Sequence, residues 1–318
     1  MFAFLARHGR LLLVAGLVAG AALPDLALAL RPAIAPMIVA LLFLAVLRLG
    51  PDGIRAGAKG LHRAAGLALI LQLALPLAAA GGFWLLGVLA HPIAMGTVLV
   101  LAAAPITGSP NITLMAGGDP APALRQLVVG TAMLPVTVLP VFLVMPAFGS
   151  PLAVAWAALQ LLALISVAGG VAYALRRFGV VTGSARSILA MDGIAALLLG
   201  LVVIGLMLAI GPAILGDRAA LVACLVAVFA LNMPIQLTAS AVAARRDPKA
   251  APAIGIVAGN RNVALFLSVL PQATADELLL FIGCFQIPMY VTPFVLAGWY
   301  RRMARKSGAG ASAPGRRS

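Results

Sequence analysis

Apolar runs of about 20 residues recur from one end of the chain to the other, and short polar stretches between them hold nearly all of the charge. A helix of that length crosses a hydrocarbon core of about 30 Å. The pattern predicts ten spans, at about 10–29, 32–49, 64–86, 92–117, 122–146, 150–174, 188–211, 216–242, 250–272 and 276–300. The ten-residue alternation of a membrane β-barrel is absent. The first run, LLLVAGLVAGAALPDLALA, follows basic residues and ends in an A-x-A at Ala27–Ala29. It reads as a first span or as a secretory signal. Ten spans divide into equal halves and nine do not, which favours the span.

Charge turns this pattern into a topology. With the N-terminus on the cytoplasmic side, the inward-facing segments hold 19 of the basic residues and the outward-facing segments hold two, Arg31 and Arg218. That asymmetry predicts both termini in the cytoplasm. It also explains the net charge of +14 as a membrane-topology signal rather than a nucleic-acid footprint. The composition is 63% hydrophobic and 9% charged, with a mean hydropathy of +1.13, which excludes a soluble globular domain. Arginine outnumbers lysine 19 to 3, a bias of GC-rich bacterial genomes, so the expected location is a bacterial inner (plasma) membrane. Residues 1–300 read as one transmembrane domain and 301–318 as a basic, disordered cytoplasmic tail. Cys224 and Cys284 sit in apolar runs without CxxC spacing and read as packing residues.

Two spans are interrupted. Span four carries PITGSPN at 105–111, and span nine carries GNRN at 259–262. Breaking a helix in lipid frees N–H and C=O groups, which is tolerated where they face a cavity and bind something. Each interruption falls in the fourth span of its five, and an odd number of spans per half forces opposite orientations. The expected fold is therefore all-α, ten transmembrane helices in two inverted five-helix repeats, with a binding site where broken helices 4 and 9 meet. Arg261 lies about a dozen residues from polar sequence on either side, too deep for its stem to reach water. No acidic residue is placed by sequence to pair with it. Asp192 reads as an interfacial cap or ion pair, or as a gating or proton-carrying group. Asn232, Pro234 and Gln236 interrupt span eight and either line the cavity or bond helix to helix.

The motifs LRPAIAPMIVALLFLAVLRL, LQLALP, APITGSPN followed by GGDPA, and GNRNVAL occur in that order across nearly the whole chain. In order and spacing the chain resembles the bile acid:sodium symporter family, relatives of arsenite exporters and auxin-type carriers. The resemblance implies a panel, spans about 10–49 and 150–211, and a core, spans about 64–146 and 216–300, with helices 4 and 9 crossing at its centre. It implies inward movement of organic anions with two sodium ions. By that resemblance Gln72 and Asn111 are the sodium ligands, with Ser109 one place from the family's serine, which Pro110 replaces. Gly259 and Asn262 match the span-nine motif. Val257 stands where the family has a glutamate and Arg261 where it has a glutamine. The family's span-five hydroxyls correspond to Thr131 or Thr137. Thr107, Asn260 and Gln236 complete the expected substrate- or ion-binding set.

Losing a carboxylate and gaining a guanidinium argues against at least one sodium site. Arg261 then either replaces a sodium ion or pairs with an anionic substrate. The expected function is a secondary transporter of small organic anions; the alternatives are a sodium-independent exchanger or channel-like carrier of the same fold, or a membrane-embedded enzyme. Against an enzyme, the sequence lacks the facing aspartates, HExxH or Ser/His pair of intramembrane proteases. The expected partners are the anion and the lipid bilayer, with no nucleic acid, no cofactor beyond a coupling sodium ion, and no implied oligomer.

Overall fold

The computed structural model describes residues 5, 8–58 and 60–309. Among these, helix is the one regular secondary structure, and one isolated backbone bridge, Pro105 to Arg261, stands in place of any sheet. The helices are α1 (Gly9–Ala22), α2 (Pro24–Leu30), α3 (Ile34–Ala58), α4 (Leu61–Leu69), α5 (Leu75–Leu85), α6 (Pro92–Ala102), α7 (Ser109–Met115), α8 (Pro120–Val144), α9 (Pro151–Arg177), α10 (Ala185–Leu206), α11 (Ile210–Gly216), α12 (Arg218–Ala244), α13 (Ala251–Gly259), α14 (Gln272–Val295) and α15 (Ala297–Ala309). Local chemistry sets many starts. Proline, whose missing N–H costs nothing in a first turn, opens α2, α6, α8 and α9. Asp119, Ser150, Ser184 and Asp217 cap α8, α9, α10 and α12 with side-chain oxygens.

Among the described residues, seven helical stretches are long and apolar enough to cross a membrane: Pro24–Arg55, Leu61–Leu85, Pro120–Val144, Pro151–Arg177, Ala185–Gly216, Arg218–Ala244 and Gln272–Val295. Their outward faces carry residues such as Leu69, Val136, Leu152, Val167 and Val226, all exposed on the bare chain. Water tolerates such a belt poorly and lipid accepts it. The protein is a multi-pass membrane protein by this architecture. The remaining apolar stretches are shorter because they are interrupted. Span four divides into α6 and α7, and span nine into α13 and a 3₁₀ turn at Val263–Ser268. The first break along the chain falls at Leu23, with φ −122° and ψ 74°, ahead of the basic residue Arg31. The tail also differs from expectation, since Ala297–Ala309 is helix; residues 310–318 lie outside the described part.

Helix directions follow from close contacts. Gly9, Gly16 and Gly20 of α1 meet Ala196, Gly200 and Ile204 of α10 in ascending order, so these helices run parallel. Gly16 and Gly20 form a GxxxG face on which any Cβ would strike the opposing backbone. The α3 helix runs against α10, with Ile34 beside Gly205 and Arg48 ion-paired with Asp192. That contact resolves Asp192 as an ion pair, with Arg48 rather than with the sequence neighbour Arg186. Helix α9 packs on α3, α4–α5 on α8, and α12 on both α13 and α14. Helix α6 packs on α14, and α13 on α8.

Between α3, α8, α9 and the chain at Thr107 lies a cavity of about 320 Å³, bounded by Leu42, Val46, Thr107, Thr131, Ile165 and Tyr173 among others. It sits toward the end of the molecule that carries Arg48, Arg55, Arg125 and Arg176. At the opposite end Arg31 forms an ion pair with Asp276, tying the turn before α3 to the second turn of α14.

Candidate functional site at the crossing of two broken helices

Helix α6 ends because Pro105 has no N–H to donate and forces the residue before it out of the helical region. Ala103 is extended, with φ −65° and ψ 152°. The helix resumes at Ser109, whose hydroxyl donates to the Ile106 carbonyl at 2.7 Å. Helix α13 ends at Gly259, and Asn260 is extended, with φ −102° and ψ 101°. The two extended stretches cross and pair. Ile106 N–H donates to Asn260 O at 3.0 Å, and Asn262 N–H donates to Ala104 O at 2.8 Å. Each interruption thus supplies a partner for backbone groups the other sets free, which is what burial in an apolar core demands. The span-four break occupies residues 103–108, slightly ahead of the stretch read from sequence, because Pro110 sits in the first turn of α7, where it is tolerated.

The pairing leaves carbonyls over, and Arg261 takes them. Ala258 O would ordinarily accept from Asn262 N–H, which is committed to Ala104; instead it accepts from Arg261 Nε at 2.9 Å. Ala103 O, beyond the end of α6, accepts from Nη1 at 2.9 Å. The third partner, Leu71 O, accepts from Nη2 at 3.3 Å and lies in a π-turn at Ile70–Ala74 between α4 and α5. There Leu75 N–H donates to Ile70 O, and the next residue is Pro76, which has no N–H to offer Leu71. Arg261 is 1% exposed, and no ion pair to it occurs among the described residues. A lone guanidinium at membrane depth costs about 3 kcal/mol on insertion scales. Each unbonded buried carbonyl costs about 1–3 kcal/mol. Joining one such charge to three such carbonyls offsets both liabilities.

On the other side of the crossing lies a neutral network. Asn232 of α12 donates through Nδ2 to Gly259 O at 2.8 Å and to Asn260 Oδ1 at 3.2 Å. Gln236 Nε2 donates to Asn232 Oδ1 at 2.6 Å and to the Thr292 hydroxyl, which itself donates to Asn232 Oδ1 at 2.6 Å. The Tyr300 hydroxyl donates to Gln236 Oε1 at 2.8 Å. All four of these side chains are fully buried. The counterpart near Arg261 is sparser. Thr137 of α8 donates to Gln72 Oε1 at 3.4 Å, and Gln72 Nε2 has no partner. Asn260 Nδ2 is likewise unpartnered.

The expected site residues therefore divide. Gln72, Asn260, Arg261, Asn262 and Gln236 gather at the crossing, and Ser109 is buried beside it with its hydroxyl turned to its own chain. Thr107 and Thr131 face the 320 Å³ cavity next to the break. Asn111 is exposed, in the first turn of α7. Of the residues that the resemblance links to sodium, Asn111 is exposed and Gln72 is buried with its oxygen accepting from Thr137, while the freed carbonyls nearby are held by Arg261. Thr292 and Tyr300 are additions that sequence reasoning did not find. The carbonyls of Leu71, Ala103 and Ala258 are further additions; their only sequence signals are Pro76, Pro105 and Gly259. Among the described residues no group of three histidine, cysteine or acidic side chains is placed to hold a metal. Comparison with family models and with curated proteins finds no match to the chain.

Proposed function

We propose that the chain is a secondary transporter that carries small organic anions by alternating access at the α6–α7/α13 crossing, with an architecture like that of the bile acid:sodium symporters. The observation that carries this reading is the pairing of two interrupted helices around Pro105 and Arg261 in the buried centre of a multi-pass protein. Backbone breaks at that depth are costly, and transporters use them to build sites.

Inverted halves are supported by the packing. Exchanging the first five spans for the last five converts α1 on α10 into α9 on α3. It converts α4–α5 on α8 into α12 on α14, and α6 on α14 into α13 on α8. The anion follows from charge: the crossing carries a guanidinium bonded to carbonyl dipoles alone, which leaves a positive potential unneutralised by any acidic partner. The cavity reaching Thr107 and Thr131 is the access route, and its walls suit a compact molecule with an apolar body. Arg261 acts on that molecule through its field, since its side chain is sealed from the cavity side by the chain itself.

The test is uptake into proteoliposomes of phenylacetate and octanoate against the corresponding neutral amides. The carboxylates are expected to be carried and the amides excluded. Thr131→Trp, which fills the cavity, is expected to stop uptake. Equal passage of acid and amide, or full uptake by the Trp variant, would overturn the reading.

A further inference from the structure

Three separate interruptions in this molecule leave a carbonyl oxygen without its helical donor: the π-turn at Leu71, the end of α6 at Ala103 and the end of α13 at Ala258. They come from three segments far apart in sequence and converge on one guanidinium. A cluster of converging carbonyl oxygens in an apolar interior calls for a cation. We infer that Arg261 is an internal, permanently bound cation that clasps α4–α5, α6 and α13 together, so that the crossing is held without any ion taken from solution.

The geometry fits a guanidinium in particular. Its donors fan out in one plane from a fixed fork, and Nε, Nη1 and Nη2 each reach a different segment. An ammonium is a single point and cannot meet three acceptors set at the spread of that fork. Val257, one turn before Arg261, is completely buried against Ala123 and Ala253, with no acid in that cluster. Three of the five guanidinium N–H groups are used by the clasp. Arg261 is thus a positioning residue: it fixes where the two extended stretches cross, and with them Gln72 and Asn260, whose amide nitrogens are the unpartnered buried donors of the site.

The clasp itself needs only the structure. Its bearing on coupling rests on the transport reading, and the experiment separates the two. Purified protein is melted in equal concentrations of sodium, potassium and choline chloride. The expected result for the wild type is one melting temperature in all three; a rise confined to sodium overturns the inference. Arg261→Ala is expected to melt lower and to regain part of the loss in sub-denaturing guanidinium or methylguanidinium, with no gain in urea. A variant that melts like the wild type, or that guanidinium does not help, overturns it. Should the alanine variant fail to fold, Arg261→Lys gives the same decision. It keeps the charge and loses the fork, so it is expected to melt below the wild type, and an equal melting temperature overturns the clasp. Proteoliposome uptake in sodium against choline is then expected to be equal for the wild type. Absence of uptake for every anion tried, with the melting results as expected, would remove the transport reading and leave the clasp standing.

Discussion

The two sides of the crossing solve one problem by different means. On the α4–α5 side, broken backbone is satisfied by a single charge reaching three carbonyls, and the neighbouring Gln72 keeps an idle amide nitrogen. On the α12 side the work is shared by four neutral side chains, Asn232, Gln236, Thr292 and Tyr300, each bonded to at least one of the others. The first arrangement depends on one residue and leaves slack around it. The second is saturated and rigid, because moving any member strips partners from the rest. The crossing is therefore stiff on one side and looser on the other.

The sharpest way to break the comparison is on the saturated side. Asn232→Ala removes the hub: Gly259 O and Asn260 Oδ1 lose a donor, and Gln236 and Thr292 lose an acceptor. The expected loss is about 3 kcal/mol or more, read by reversible unfolding in mixed micelles. A pair of glycine substitutions tests rigidity directly. A Cβ at Gly259 would lie 2.3 Å from Gln236 Cγ, and Gln236 cannot yield without breaking its bonds; Gly259→Ala is expected to cost about 1–3 kcal/mol. A Cβ at Gly130 would lie 2.6 Å from Gln72 Nε2, the far end of a side chain held by one long bond from Thr137, and 3.0 Å from Pro105 Cδ, so that little bonding is lost when Gln72 gives way. Gly130→Ala is therefore expected to cost clearly less than Gly259→Ala in the same assay; equal costs would show that the two sides are alike in stiffness. Tyr300→Phe deletes one hydroxyl donor at the edge of the network and is expected to cost about 1 kcal/mol. Asn111→Ala, at an exposed position, is expected to shift stability by less than about 0.5 kcal/mol.

Much of this was legible in the sequence, for reasons that can be named. Proline at 105 and glycine at 259 mark where helix must fail, since one lacks a donor and the other lacks a side chain to hold it. The depth of Arg261 followed from counting residues to the nearest polar stretch. What could not be read was partnership. Leu71 looks like any apolar residue, and its carbonyl becomes available only because a π-turn and Pro76 coincide there. Tyr300 at the end of an apolar run looks like an interfacial aromatic, yet it turns inward to Gln236. Asn111 sits in a motif that pointed to a ligand, but helix α7 rotates it outward. Helix rotation and the meeting of distant segments are tertiary facts, and a single chain read in order does not carry them.

The Arg31–Asp276 pair gives the molecule an uneven temperament toward its surroundings. Both partners are partly exposed, at 30% and 47%, so water and dissolved salt share in the contact. Ion pairs of this kind contribute about 0–1 kcal/mol and weaken as ionic strength rises. The end of the protein farthest from the arginine-rich face is thus fastened by something the medium can loosen. The crossing at its heart, by contrast, is fastened by a charge the medium never touches. Salt thus loosens the fastening at that end while the centre keeps its form.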